Sequence, residues 1–270
     1  MLLGVDIGGT KIAVGSVDRK AQVFSPRSVP TLANEGYDVS IQQVWRAIEA
    51  GLSSGVEAIG ICAPGPLNPK TGMVLNPPNL PGWNNIALRE MAEARFGLRV
   101  GVENDCNAAG LAEARFGAAK GCSSVFYAAI GTGIGSGIIL DGKIYHGKNG
   151  AAAEGGHVSI DYRSETVCRC GSTGCIEALA SGHVLERMGE YSLSNLAVQL
   201  GAWLGSVVSL LDPDIIVIGG GVAKIGEPLF EKLREIVPKR TVNPHAGQLP
   251  IVPARFGAEA GIVGAAAVMM

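Results

Sequence analysis

Aromatic residues are scarce in this chain, only 5% of the total, although hydrophobic residues reach 47%. The apolar excess is therefore Ala, Val and Ile. With 39 glycines, it points to tight backbone approaches in a packed α/β core. The formal charge of −2 leaves no electrostatic case for a nucleic-acid partner. No apolar run is expected to reach the length that spans a bilayer, so no membrane is expected. The start carries no basic segment and meets Asp6 at once, which argues against a signal peptide. Of six cysteines, Cys62, Cys106 and Cys122 are isolated, a pattern that fits a reducing cytoplasm rather than a disulfide framework. Two nucleotide signatures are also missing. Neither G-x-x-x-x-G-K-[ST] nor a full G-x-G-x-x-G after a strand is present, so the P-loop and Rossmann readings fail.

What is there is an alternation of strands and helices. Alternating and β-branched stretches predict strands at 2–7, 12–17 and 22–29, and a helix at 39–52. A buried strand follows at 56–62, then a proline-rich surface loop at 64–83, a helix at 85–96 and a strand at 99–103. Asn104 can cap the helix running to Phe116. The pattern then restarts: strand 123–130, a Gly131-Thr132-Gly133 turn, strand 135–140 and an Asp141-Gly142 hairpin signal. Helices are expected at 177–188, 193–211, 227–237 and 258–268, with strands at 215–218 and near Ile251. Setting Asp6-Ile7-Gly8-Gly9-Thr10 over Ala129-Ile130-Gly131-Thr132-Gly133 suggests an internal duplication. Two α/β lobes follow from it: a small domain of residues 1–104 plus 258–270, and a large domain of 105–257.

The most specific local signal is Glu154-Gly155-Gly156-His157, a ten-residue gap, then Cys168-Arg169-Cys170-Gly171-Ser172-Thr173-Gly174-Cys175-Ile176-Glu177. One imidazole and three close-set thiols, His157, Cys168, Cys170 and Cys175, make a tetrahedral zinc set. Glu154 and Glu177 at its edges suggest that the ion shapes a binding site. Three glycine turns follow strands: Gly8-Gly9-Thr10-Lys11, Gly131-Thr132-Gly133 and Gly219-Gly220-Gly221. Consecutive exposed N–H groups form anion nests, so facing turns could hold a polyphosphate, although hairpin glycines often only turn the chain. Asp6 before the first turn can hold Mg²⁺ or merely cap the turn. Asp105 at a helix N-terminus is expected to stay ionised and can take a proton from a hydroxyl; the alternative is that Asn104 and Asp105 simply cap the helix.

Together these segments, with Glu103-Asn104-Asp105 and Gly219-Gly220-Gly221-Val222, resemble the ROK family (repressor, open reading frame, kinase), and within it the bacterial glucokinases. The resemblance covers nearly the whole chain. It implies the two-lobed, actin-like, ribonuclease-H-like kinase fold with a zinc loop. It implies Asp105 as catalytic base at a sugar 6-hydroxyl, with Asn104, Glu154, His157, Glu177, Gly65 and Asn79 holding the other hydroxyls. The Gly8 and Gly131 turns would take the phosphates of ATP, and Gly219, Gly220 and Gly221 would face adenosine. Zinc would be structural, Mg²⁺ would accompany ATP, and the protein would be cytoplasmic.

The expected reaction is glucose to glucose 6-phosphate. A kinase for an N-acetylhexosamine, mannose or fructose, or a non-catalytic sugar-sensing protein, are the alternatives. The repressors of the family carry a helix-turn-helix, for which a first strand at Leu2 leaves no room. The chain is shorter than family members between Gly182 and Leu193, which touches the nucleotide side and any oligomer contacts. The small-residue C-terminal helix permits a homodimer without requiring one.

Overall fold

The computed structural model describes residues 1–188 and 193–270. The chain order is β1 (Leu2–Ile7), β2 (Lys11–Val17), β3 (Val23–Pro30), α1 (Tyr37–Gly51), β4 (Ala58–Ala63), β5 (Leu67–Asn68), β6 (Met73–Val74), α2 (Leu88–Phe96), β7 (Arg99–Asn104) and α3 (Asp105–Phe116). It continues through β8 (Ser124–Ile130), β9 (Ile134–Leu140), β10 (Lys143–Ile144), α4 (Ile176–Ala180), α5 (Gly182–Met188), α6 (Leu193–Leu211), β11 (Ile215–Gly219), α7 (Glu227–Ile236), β12 (Ile251–Pro253) and α8 (Ala260–Ala267).

Two five-stranded sheets carry the molecule, with orders β3-β2-β1-β4-β7 and β10-β9-β8-β11-β12. In each, three antiparallel strands are followed by two parallel ones. The second sheet thus repeats the first strand for strand, as the paired glycine turns suggest. Period-two alternation decides which face each residue serves. In β1, Leu3, Val5 and Ile7 enter a core with α1 and α2, together with Ile59 and Ile61 of β4 and Val100 and Val102 of β7. Each such fully buried aliphatic side chain contributes about 1.5–3 kcal/mol.

The opposite face is built differently. Gly4, Gly60 and Gly101 are registered neighbours, and α8 lies in the trough they leave. A Cβ at Gly4 would overlap the Ile262 carbonyl oxygen, and one at Gly60 that of Ala265. Two residues further along, on the same face, the register sets Asp6, Cys62 and Glu103 side by side. A row of glycines seats the helix, and a row of polar residues beyond it opens toward the site.

The second sheet packs α4, α6 and α7 on one face, through Trp203, Leu204, Phe230 and Leu233 among others. Helix α3 covers its other face, with α8 packed behind it against the first sheet. Glu113, fully buried in α3, accepts the N–H groups of Ala118 (2.8 Å), Arg255 (2.8 Å) and Phe256 (3.0 Å), which fixes the approach to α8.

Three details differ from the sequence expectation. Residues 177–188 are not one helix: α4 ends at Ala180 and α5 starts at Gly182, because the Gly182 N–H leaves the helical ladder for the Gly131 carbonyl, 2.6 Å away. The helix expected at 85–96 starts at Leu88, because Asn85 has φ 53° and donates its N–H to Leu75. The proline-rich segment carries the small β5–β6 ladder. Among the described residues one helix, α6, is long and apolar enough to cross a membrane by length and composition, against the expectation that no apolar run reaches that length. Its Leu196, Leu200, Trp203, Leu204 and Val208 are buried against the second sheet, as in a core helix.

Candidate active site

The turn between β1 and β2 closes with the Gly8 N–H on the Lys11 carbonyl at 2.9 Å. Thr31 braces it: its hydroxyl donates to the Gly8 carbonyl at 2.6 Å, and its N–H to that of Thr10 at 3.0 Å. Asn79, expected on the sugar side, lies against this turn, since a Cβ at Gly9 would come within 2.9 Å of its carbonyl oxygen. The Asn79 loop is anchored by buried Trp83, whose indole N–H donates to Ser40 Oγ at 2.8 Å.

The second turn closes with the Gly131 N–H on Gly133 O, 2.9 Å. The third adjoins it, because β8 and β11 are parallel neighbours and Gly220, at φ +83°, sits directly on the Ile130 backbone. A side chain at Gly220 would be both strained and overlapped.

Asp105 opens α3. Asn104 caps that helix, its Oδ1 accepting the N–H groups of Cys106 (2.9 Å) and Asn107 (3.2 Å), which leaves its amide NH₂ for other partners. That amide faces Gly65, as does Glu154. The half-buried Asp105 carboxyl is pushed up to about 6, first by burial and then by the Asp6 carboxylate. Its bond from the Cys106 N–H works against this, and Glu154 adds to it. The helix N-terminus therefore does not win outright. At pH 7 the group is still ionised by about ten to one. Asp6 is itself raised by burial, against a bond from the Cys62 thiol at 3.4 Å and the charge of Lys11. Burial, with Asp6 and Asp105 nearby, pushes the Cys62 thiol well up, so it remains an S–H donor.

His157 ends a short 3₁₀ turn, Gly155–His157. Its Nδ1 lies 3.5 Å from Cys168 Sγ, and Cys170 and Cys175 sulfurs are 3.7 Å apart. All four ligand atoms lie within 4.8 Å of one another. A tetrahedral zinc with ordinary bond lengths demands edges of about 3.8 Å between sulfurs and about 3.6 Å from sulfur to nitrogen. The donor set fits the ion. With Nδ1 turned to the thiols, Nε2 is the ring nitrogen left for another partner. Glu177 joins this loop to the second turn: Oε1 is 4.0 Å from Cys168 Sγ, and Oε2 accepts the Ile134 N–H at 2.8 Å.

One carboxylate–imidazole contact has no counterpart in the sequence reading. Glu103, quoted there only as part of a motif, is buried, and its Oε2 meets His146 Nε2 at 2.6 Å. A usable signal was present: Gly4-Val5-Asp6, Gly60-Ile61-Cys62 and Gly101-Val102-Glu103 are the same G-x-polar pattern in three strands.

The model of the ROK family matches residues 2–197 and 187–270. The chain belongs to the ROK family. A glucokinase of Streptomyces coelicolor is 33% identical over 309 residues, covering 98% of this chain and 96% of that protein. A ROK hexokinase structure from Thermus thermophilus superposes with a TM-score of 0.87 at 36% identity, covering 99% and 97% of the two chains. A ROK glucokinase from Streptomyces griseus, in complex with glucose and AMPPNP, gives 0.83 at 35%, covering 98% and 97%. N-acetylmannosamine kinases and xylose repressors also match. The fold is thus the α/β fold of ROK sugar kinases. The expected shortening between Gly182 and Leu193 falls partly on residues 189–192, outside the described residues; the family match divides at the same place.

Proposed function

We propose that this ROK protein is an ATP-dependent hexokinase that phosphorylates the 6-hydroxyl, with glucose as its first substrate. The observation that carries the reading is Asp105: a carboxyl raised to about 6 with the Glu154 charge acting on it, still ionised at neutral pH, directly after Asn104, whose amide faces Gly65 as Glu154 does. Such a group matches the demand on a general base near its working pH. The 6-oxygen attacks the γ-phosphorus, the bond to the β-bridging oxygen breaks, ADP leaves, and the hydroxyl proton passes to Asp105. Because the transition state is loose, Asp105 mainly orients the nucleophile and takes the proton late.

The remaining hydroxyls are assigned to Asn104 through its amide, to Glu154, to His157 through Nε2, to Glu177 through Oε1, and to Gly65 and Asn79. The Gly8-Gly9-Thr10-Lys11 and Gly131-Thr132-Gly133 turns are assigned to phosphates, and Gly219-Gly220-Gly221 to the nucleoside. Mg²⁺ at Asp6 would neutralise phosphate charge when bound, and zinc on His157, Cys168, Cys170 and Cys175 would hold the loop between Glu154 and Glu177 in shape. The lobes are assigned as 1–104 with 258–270, and 105–257. A coupled ADP-release screen over hexoses and N-acetylhexosamines tests the reading. Glucose should give the highest kcat/KM, and Asp105→Ala should abolish turnover while leaving sugar binding measurable. Near wild-type turnover in Asp105→Ala would end it, and a preference for N-acetylmannosamine would move the substrate to the other branch.

A further inference from the structure

We infer that Glu103 and His146 form a positioning clasp that fixes the catalytic base and the sugar-side Glu154 relative to each other. The inference rests on the kinase reading and assigns two residues that touch neither reactant. Glu103 is the last residue but one of β7, on the polar face of its sheet, and is 3% exposed. Its Oε1 accepts the Asn104 N–H at 2.8 Å and the Asn107 amide at 3.1 Å. These two bonds set the strand-to-helix corner from which Asn104 caps α3 and Asp105 projects.

The other oxygen reaches across to His146 at 2.6 Å. His146 begins the segment that delivers Glu154: its carbonyl accepts the Ala152 N–H at 3.1 Å, and Gly147, at φ +66°, packs on Ala152. Ser136 Oγ then holds the Ala153 carbonyl at 2.6 Å, one residue before Glu154. The corner carrying the base and the loop carrying Glu154 therefore meet at one hydrogen-bonded contact. Losing the imidazole takes from buried Glu103 Oε2 the partner that ties the corner to the loop, and frees the corner or the loop to move. Either movement separates Asp105 from Glu154, and displacements of this kind are expensive for a reaction that depends on placement.

The test compares wild type, His146→Ala and His146→Gln, which keeps an N–H donor. Calorimetry measures binding of the hexose that wild type prefers and of AMPPNP, and steady-state kinetics measures kcat and both KM values. His146→Ala should weaken the hexose and lower kcat by about tenfold each, with AMPPNP binding unchanged, and His146→Gln should recover to within about threefold. Should His146→Ala fail to fold, His146→Leu keeps the bulk, removes the donor and carries the same comparison. Wild-type behaviour in the variant overturns the clasp. So does equal weakening of both ligands with no recovery in His146→Gln, which is the signature of a merely structural contact. Failure of the kinase reading shows separately, in wild type, as hexose binding without ADP release. A wild-type protein that binds no hexose overturns both.

Discussion

Glu177 accepts the backbone N–H of Ile134 over 2.8 Å, while its other oxygen lies 4.0 Å from Cys168 Sγ. One carboxylate thus bridges the thiol loop and the first residue of β9, directly after the Gly131–Gly133 turn. Glu177→Gln can keep the acceptor for Ile134, whereas Glu177→Ala removes it. Glu177→Ala is expected to raise KM for both ATP and the sugar, and Glu177→Gln to raise it chiefly for the sugar. The lost hydrogen bond is worth about 1 kcal/mol, or about fivefold on the ATP side. Initial-rate kinetics with each substrate varied checks this. Equal ATP constants for Gln and Ala would count against the bridge.

The four candidate ligands His157, Cys168, Cys170 and Cys175 carry a second expectation. Purified protein should contain about one zinc per chain by atomic absorption. Cys175→Ser, at a fully buried position, should lose the metal and lower the unfolding temperature. A strong chelator should do the same to wild type, and added Zn²⁺ should reverse it. Metal content unchanged in Cys175→Ser would remove that thiol from the set.

Much of this architecture is legible locally, for identifiable reasons. The hydrophobic alternation of β1 and the continuous apolar runs of β4 and β11 announce strands, because a two-residue period and a buried parallel strand each leave a pattern in sequence. The Asp141-Gly142 hairpin is announced by residues that tolerate positive φ, and both adopt it, at 51° and 71°. The close-set thiols suggest a metal site before any fold is known, and the fold gathers His157 to within 4.8 Å of them. What a linear pattern does not contain is register. That Cys62 stands between Asp6 and Glu103, that Asn79 backs onto Gly9, and that His146 reaches Glu103 across 43 residues all depend on which strands lie side by side. The break at Ser181 is marked locally only by Gly182, and its cause, the approach of the Gly131 carbonyl, is not visible in a linear pattern.

Register also makes a stability prediction. Gly60 lies midway in the glycine row under α8, and a Cβ there would collide with backbone, the Ala265 carbonyl, not with a flexible side chain. Gly60→Ala should cost about 1–3 kcal/mol through forced displacement of α8. Gly55→Ala, where the added carbon meets nothing within 4 Å, is the control and should be near neutral. Denaturant melts of both variants compare the two sites. A neutral Gly60→Ala would mean that α8 is not seated in this trough.

The Asp105 carboxyl gives the last prediction, in two readouts of opposite sign. As the proposed base it would work only when ionised, so kcat/KM should fall on the acid side with an apparent pKa of about 6, the value to which burial and Asp6 raise it. As a titrating group in the fold it acts the other way. A carboxyl whose folded value lies above its unfolded value of 3.8 binds its proton more tightly in the native state. Its stabilising contribution is therefore complete below about 3.8 and is lost as pH rises through about 6. Asp105→Asn keeps an oxygen for the Cys106 N–H and cannot ionise. It should match or fall below wild type in unfolding temperature near pH 4, and exceed it above pH 6, while losing turnover by about two to four powers of ten. Thermal melts of both proteins between pH 4 and 8 decide this. Parallel stability curves would show that Asp105 carries no excess charge burden, and would remove the electrostatic basis for its tuning as a base.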